Sequence, residues 1–261
     1  MEQPSALPAT AHAEPGHTGE TTASTLERIL RRDIIEARLA PGMPLRLKDL
    51  ALAYGVGVIP LREALSRLTA VGLVVALDQK GFSVAPLSRR DLLDATRARQ
   101  HIETIALKDA MAFGGVEWEA RVLAAHHQLS HTPLYTPARD GMNPEWERAH
   151  ASFHQVLISG CASDYLIRFS EILREQTARY RHLSLKGAHG GKRNVAMEHQ
   201  AIAEAILSHD AVTACRLLVD HYQKTADLLL KNQVEAFLSP IQLKARPRGR
   251  TKTEAQRAGD E

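Results

Sequence analysis

Three stretches near the beginning of the chain carry apolar side chains at helical spacing. The first predicts an amphipathic helix that stops at Pro41-Gly42, and its apolar positions are Leu26, Ile29, Leu30, Ile34, Ile35 and Leu39. The second is short and ends at Gly55, which permits a turn with positive φ. The third runs from Leu61 to Val71, and Gly72 follows where glycine commonly ends a helix. The pattern predicts a helical pair joined by a tight turn, with one helix before it.

Two apolar segments follow at residues 73–77 and 82–85, separated by Asp78-Gln79-Lys80-Gly81. They predict a β-hairpin with a polar, basic tip. Periodicity alone fits any small helical hairpin as well as a helix-turn-helix, because the motif is short. The preceding helix and the following hairpin favour a winged helix-turn-helix. In that fold the second helix of the pair reaches DNA with side chains outside its apolar face.

The rest of the chain is helical in pattern, and Ser88-Arg89-Arg90-Asp91 predicts a capping box at its start. Six segments carry apolar stripes, and their approximate ranges are 89–113, 117–130, 145–159, 163–185, 194–208 and 211–236. Short connections between such helices predict an antiparallel bundle. The predicted fold is therefore mainly α, an N-terminal winged helix-turn-helix followed by an all-helical antiparallel bundle.

Four regions follow from these patterns. Residues 22–88 are the predicted winged helix-turn-helix domain, and residues 89–237 are the predicted helical domain. Residues 1–21 lack periodicity, so we expect a disordered N-terminal segment. Residues 238–261 are rich in Lys and Arg, and we expect a basic flexible tail.

Charge differs between the two predicted domains. Residues 22–90 carry 11 Lys and Arg against 6 Asp and Glu, whereas residues 91–237 carry 16 against 18. The positive surplus suits a polyanion at the helix-turn-helix end, although such a surplus is common in ordinary domains. The two cysteines match no CxxC pattern, which suggests a reducing compartment. No signal peptide and no run of 18 apolar residues is present, so we expect a cytoplasmic protein without a membrane span.

Four short motifs at the N-terminal end occur in the order and with the gaps of a known family. They are Leu39–Leu45, Pro60–Leu65, Gly72–Val74 and Gly81–Val84. Over about Thr22 to Ser88 the chain resembles the GntR superfamily of bacterial transcription regulators. The resemblance implies a homodimer on double-stranded operator DNA, with half-sites about one helical turn apart. The candidate DNA contacts are Lys48, Arg62, Arg67 and Lys80.

The resemblance fails at one informative place. Gly57, Val58 and Ile59 stand where the family usually has Ser/Thr-Arg-Thr ahead of its Pro-x-Arg-Glu motif. Loss of a bidentate Arg–guanine contact removes about 1–3 kcal/mol of discrimination, so the usual operator is not expected. Val58 and Ile59 either touch a thymine methyl group or are buried.

Four histidines are the most informative residues of the helical domain. His150 and His154 are four residues apart and therefore share one helix face, while His199 and His221 lie on later helices. Imidazoles on facing helices can close on one divalent ion, and bundle cores are a recurrent place for such sites. The alternative is that the spacing of His150 and His154 arose by chance, because a chain with 13 histidines readily contains two that are four residues apart. Ala151 follows His150, so the HExxH zinc-protease motif is absent.

These histidines also fall on a family pattern. Arg99–Glu103, His150–His154, Glu198–Ile202 and His221 resemble the marks of the FCD-type effector domain, over roughly Leu92 to Leu229. In that family an Asp and three His hold a metal at the floor of a small-acid pocket. Here His150 replaces the Asp, which makes the site more cationic and softer. We therefore expect a divalent transition metal, zinc first and nickel second.

In the same family an Arg helps to bind the carboxylate of the acid, which implies that role for Arg99. Arg181 is a second candidate for the small carboxylic-acid effector, whereas an ion pair with Glu103 at i,i+4 would need no ligand. The leading hypothesis is a transcription regulator, not an enzyme, whose operator binding responds to an acid at a metal site. One alternative is a four-histidine helical-bundle metalloenzyme acting on a small acid, with Glu198 as the acid–base group. Another is a purely structural metal bundle.

Overall fold

A computed structural model describes residues 21–77, 81–138, 141–184 and 193–231. In these residues the chain forms nine helices and three short strands. The helices are α1 Thr22–Ile35, α2 Leu47–Tyr54, α3 Val58–Ala70, α4 Arg89–Phe113, α5 Gly115–Ser130, α6 Pro144–Ile158, α7 Asp164–Ser184, α8 Val195–Leu207 and α9 Ala211–Lys231. The strands are β1 Pro44–Leu45, β2 Val74–Leu77 and β3 Gly81–Val84. The predicted N-terminal segment up to residue 20, the predicted tail and Lys80 lie outside the described residues.

The first three helices and the strands share one core, which confirms the predicted winged helix-turn-helix. Gly55 has φ of +65°, a left-handed conformation that glycine adopts at little cost, and so it ends α2 and turns the chain into α3. The sheet has three strands in the order β1-β3-β2, where a two-stranded hairpin was predicted. The added strand pairs Pro44 with Ser83 and is too short for a periodic signal. The buried core residues are Leu26, Leu30, Ile34, Leu39, Leu45, Leu50, Leu61, Ala64, Leu65, Leu68, Leu73, Val74 and Val84.

The predicted end of the first helix was wrong. Helix α1 ends at Ile35 instead of running to Pro41, because Ala37 turns into the left-handed region with φ of +55°. The backbone N–H groups of Arg38 and Leu39 then both donate to the carbonyl of Asp33, at 2.8 and 3.0 Å. Leu39 is fully buried from the loop, so its apolar character continued the helical pattern without belonging to the helix.

The described residues between 89 and 231 fold as the predicted helical bundle. The structure places its helix ends within two residues of the predicted ones, except at the last helix, whose predicted residues 232–236 lie outside the described residues. Helix α4 packs between α7 and α9, while α5 packs on α6 and α8. Ser88 caps α4 by accepting from the Asp91 N–H at 3.0 Å. The reciprocal half of the capping box is absent, because the Ser88 N–H donates to the hydroxyl of Tyr180 instead.

Helix α7 contacts both halves of the protein. Glu175 accepts from Arg31 of α1 at 2.5 Å, and Gln176 donates to the carbonyl of Val71 at 2.8 Å. Arg179 donates to the carbonyl of Ala85 just after β3. The winged helix-turn-helix is therefore fixed to one long helix of the bundle.

Two further expectations concern the cysteines and the membrane. Cys161 and Cys215 are both buried and unpaired with each other, as small apolar side chains would be. Every helix in the described part of the chain is too short or too polar to span a membrane.

Candidate functional site

The four predicted histidines converge at the centre of the bundle. His150 and His154 lie one turn apart on α6, His199 is near the start of α8, and His221 is in the middle of α9. Each offers one ring nitrogen, and these four atoms all lie within 4.8 Å of one another. All four side chains are buried. Three helices that are distant in sequence thus supply one nitrogen cluster, as the spacing of His150 and His154 and the family resemblance together predicted.

Hydrogen bonds to neighbouring side chains fix two of the ring tautomers. The Tyr222 hydroxyl donates to Glu103, so it accepts from Nδ1 of His154 at 3.0 Å. Nδ1 of His221 donates to the Glu198 carboxylate at 2.8 Å. In both rings the proton is held on Nδ1, and Nε2 therefore keeps its lone pair for another partner.

Several ring nitrogens of these histidines lack any hydrogen-bond partner. Among the described residues, Nδ1 of His150, Nε2 of His154 and Nε2 of His199 are buried and unbonded. Buried polar atoms are almost always hydrogen-bonded, since an unpaired one costs about 1–3 kcal/mol. Three of the four clustered histidines therefore keep a ring nitrogen whose lone pair could coordinate a cation.

The protonation state of the histidines suits the same role. Burial lowers the pKa of His150, His154 and His199 well below the ordinary histidine value, and nearby positive groups lower it further. Burial also outweighs the neighbouring Glu198 at His221 and lowers its pKa to about 4. All four rings are therefore neutral at pH 7, which is the form that binds a metal ion.

A cavity of about 110 Å³ adjoins the histidine cluster. Its charged lining consists of Arg99, Arg181 and Arg193, and within the described residues no acidic side chain lines it. The remaining wall is mostly apolar. Its largest apolar members are Leu92, Leu134, Trp146, Leu228 and Leu229. The lining therefore combines three guanidinium groups with apolar side chains.

Arg99 makes the ion pair that was weighed as the alternative to ligand binding. Its Nε donates to Glu103 at 2.6 Å, its Nη1 to Thr177 at 3.1 Å and its Nη2 to the Tyr222 hydroxyl at 3.2 Å. Burial alone would lower the pKa of Arg99, but Glu103 and Tyr222 raise it, so the side chain stays charged. Arg99 therefore pairs within its helix and also faces the cavity.

Each of the other cavity arginines has its own glutamate. Arg181, the second predicted effector residue, donates to Glu147 at 2.7 Å. Arg193 donates to both oxygens of Glu198, at 2.8 and 2.6 Å. Burial alone would raise the pKa of Glu198, but its bonds from Arg193 and His221 lower it to about 2. Glu198 orients His221 and is not available as the acid of the metalloenzyme hypothesis.

Sequence reasoning missed three residues of this site. Arg193 precedes α8, Tyr222 follows His221, and Trp146 stacks on the ring of His150 with centroids 4.6 Å apart. Two signals were available: Tyr222 is adjacent to a predicted ligand, and Trp146 lies four residues before His150 on the same helix. For Arg193, contact depends on how the helices pack.

The N-terminal site is the exposed face of α3. Val58, Ile59, Arg62 and Ser66 are exposed along this helix. Val58 is 41% and Ile59 84% exposed, so of the two expectations for these residues burial is excluded. Arg62 makes no hydrogen bond or ion pair with any described residue, which leaves it open to solvent. The opposite face of the helix is buried and consists of Leu61, Ala64, Leu65 and Leu68.

The other candidate DNA contacts differ in their surroundings. Arg67 donates to Glu63 at 2.5 Å and lies 3.5 Å from Glu27 of α1, so its charge is already paired. Lys48 is exposed on α2. Lys80 falls in the hairpin tip, outside the described residues.

Comparison with known proteins decides the family. Residues 22–84 match the model "Bacterial regulatory proteins, gntR family", and residues 94–224 match the model "FCD domain". The chain belongs to the GntR family, FCD subfamily. This GntR regulator is 39% identical over 200 residues to the HTH-type transcriptional repressor GlaR of Escherichia coli (strain K12), covering 74% of this chain and 89% of GlaR.

Two further comparisons agree. The HTH-type transcriptional regulator BphR of Paraburkholderia xenovorans (strain LB400) is 39% identical over 208 residues, covering 79% of this chain and 84% of BphR. The structure of E. coli McbR/YncC superposes with a TM-score of 0.68 at 20% identity, over 81% of this chain and 98% of that one, and so supports the fold. The GntR regulator is therefore a DNA-binding transcription regulator, and its relatives are regulators and not enzymes.

Proposed function

We propose that this GntR regulator binds one divalent transition metal through His150, His154, His199 and His221, and that a small organic acid at this metal modulates operator binding. The observation that carries the proposal is the cluster of four buried histidines, three of which keep a ring nitrogen without a hydrogen-bond partner. A cation at the centre of the cluster would give such nitrogens a partner. An all-nitrogen donor set favours zinc, then nickel, over magnesium or calcium.

The ion would supply a concentrated positive charge beside the cavity. Such a charge in a water-poor site attracts a carboxylate strongly. Arg99, with Arg181 as the second candidate, would orient the acid, since both line the cavity. Guanidinium groups suit this role because they bind carboxylates with two parallel hydrogen bonds.

A path from the cavity to the DNA-binding domain supports the regulatory part of the proposal. Thr177 of α7 bonds Arg99, while Glu175 and Gln176 of the same helix bond the winged helix-turn-helix. An acid that changes the contacts of Arg99 would change the preferred position of α7. Residues 22–88, which are bonded to α7, would move with it. The regulator would act as a homodimer, because paired recognition helices suit paired half-sites.

Elemental analysis of the untagged, full-length protein tests the metal site. We expect about one ion per chain, lost in His154→Ala and in His199→Ala. His101→Ala is the matched control, because His101 is exposed on α4 and does not belong to the cluster. Full metal content in both site variants would place the ion elsewhere and refute the assignment.

Operator titrations with and without added acids test the modulation. Fluorescence anisotropy of labelled operator should shift with at least one mono- or dicarboxylate, and only when metal is bound. Metal binding without any change in DNA affinity across such a screen would support a purely structural metal and contradict the regulatory role.

A further inference from the structure

Three apolar side chains of α2 and α3 are exposed. Ile59 and Leu52 are 84% and 86% exposed, and Val58 is 41% exposed. Val58 and Ile59 are the first two residues of α3, and Leu52 lies near the end of the preceding helix. No described part of the chain covers these side chains. Their exposure leaves them open to a partner outside the protomer.

The position of Val58 and Ile59 identifies that partner. In a helix-turn-helix the N-terminal residues of the second helix point at base edges in the major groove. Arg62 follows Val58 by one helical turn and is exposed on the same side, so a basic residue lies directly behind the apolar pair. Operator DNA is the partner that this family is known to bind, and the apolar pair sits where its bases would be read.

The chemistry of the groove narrows the choice of base. An aliphatic side chain neither donates nor accepts hydrogen bonds, so against a guanine, cytosine or adenine edge it would leave polar groups unpaired. The thymine C5 methyl is the one apolar group that the major groove displays. Contact with that methyl removes apolar surface of both partners from water.

We infer that Val58 and Ile59 read thymine methyl groups, so that each operator half-site carries thymines opposite the start of α3. The arrangement replaces polar recognition by apolar recognition at these two positions. The inference rests on the DNA-binding function of the family and is independent of the proposed metal site.

Replacement of thymine by uracil gives the sharpest test, because it removes the methyl group alone. Preferred sites are first selected from random double-stranded DNA with the full-length protein. Each thymine of the half-site is then changed to deoxyuridine, and affinity is measured by fluorescence anisotropy. At the contacted positions we expect about fourfold weaker binding per methyl lost. Thymines in the flanking DNA, changed in the same way, are the control.

A double-mutant cycle links each methyl to a side chain. Ile59→Ala and Val58→Ala should bind more weakly, and each should become insensitive to uracil at its own position. Leu52→Ala should keep the full uracil effect. Both Ala variants should fold, since the replaced side chains are exposed and alanine favours helix; matching melting curves verify this.

Salt dependence separates apolar contact from phosphate contact. Ile59→Ala should leave the slope of log affinity against log salt unchanged, because no counterion is released by an apolar contact. Selected sites without thymine in the half-site would overturn the inference. So would an equal uracil effect in the wild type and in both variants.

Discussion

Acidification should destabilise the metal-free protein through its buried histidines. In the folded chain the pKa of His221 is about 4, against an ordinary value of 6.5 in the unfolded chain. Because the folded pKa is the lower one, the unfolded state takes up protons first as the pH falls. The contribution of His221 to the free energy of unfolding is fully present above pH 6.5 and is lost as the pH falls from 6.5 to 4.

The size of the effect follows from the two pKa values. At pH 5 the unfolded ring is almost fully protonated while the folded ring is mostly neutral, so His221 alone removes about 2 kcal/mol between pH 7 and pH 5. His150, His154 and His199 shift in the same direction and add to this loss. Glu198, with its pKa near 2, has almost no effect in this window.

Tryptophan fluorescence provides a local readout. The two tryptophans of the chain, Trp118 and Trp146, both lie in the bundle, and Trp146 stacks on His150. Urea unfolding of chelator-treated protein at pH 7, 6 and 5 gives the free energy of unfolding at each pH. In His221→Gln, the slope of the unfolding free energy against pH should fall by close to the amount that one proton contributes. His101→Ala should leave this slope unchanged. A free energy that is constant from pH 7 to pH 5, or an unchanged slope in His221→Gln, would refute the reasoning.

Three further predictions concern the arginines and the helix that joins the domains. Arg99→Lys should weaken the best acid in a thermal-shift assay because lysine lacks the bidentate fork, and Arg99→Ala should weaken it more; unchanged affinity would leave Arg99 only its role beside Glu103. Arg62→Ala should lower the slope of log affinity against log salt for operator binding by about one. Arg67→Ala should lower it less, because Arg67 is already paired with Glu63. Equal slopes for Arg62→Ala and the wild type would show that Arg62 does not contact the operator. Gln176→Ala should keep acid binding, measured by calorimetry, but should reduce the acid-induced change in operator affinity. An undiminished change would show that the contact of Gln176 with Val71 does not couple the acid site to the DNA-binding domain.

Local chemistry made much of the fold predictable. Gly55 and Gly72 mark helix ends because both need positive φ, and Ser88 marks a helix start because its side chain caps α4. The end of α1 was misplaced because the prediction used local pattern alone. Leu39 is buried from a loop, and an apolar residue at helical spacing looks identical whether a helix or a turn carries it.

The histidine cluster was predictable only in part. The pair His150 and His154 follows from helical geometry, and the family pattern added the other two histidines. The polar groups that orient the rings depend on packing between α4, α6, α8 and α9, so no spacing along the chain reveals them. Arg67 illustrates the same limit, since it pairs with Glu27, a residue of another helix that is 40 positions away in the sequence.

The charges around the cavity make metal and acid interdependent. Arg99, Arg181 and Arg193 each hold a glutamate at 2.6–2.7 Å, so their positive charges are already compensated. The four histidines are neutral at pH 7 and bring no charge of their own. Without an ion the cavity is therefore nearly neutral despite its arginines, and an acid gains little by leaving water. With a divalent ion the site carries two uncompensated positive charges, and the acid becomes the group that balances them. Acid affinity in the proposed regulator should accordingly follow metal occupancy more closely than it follows any single arginine.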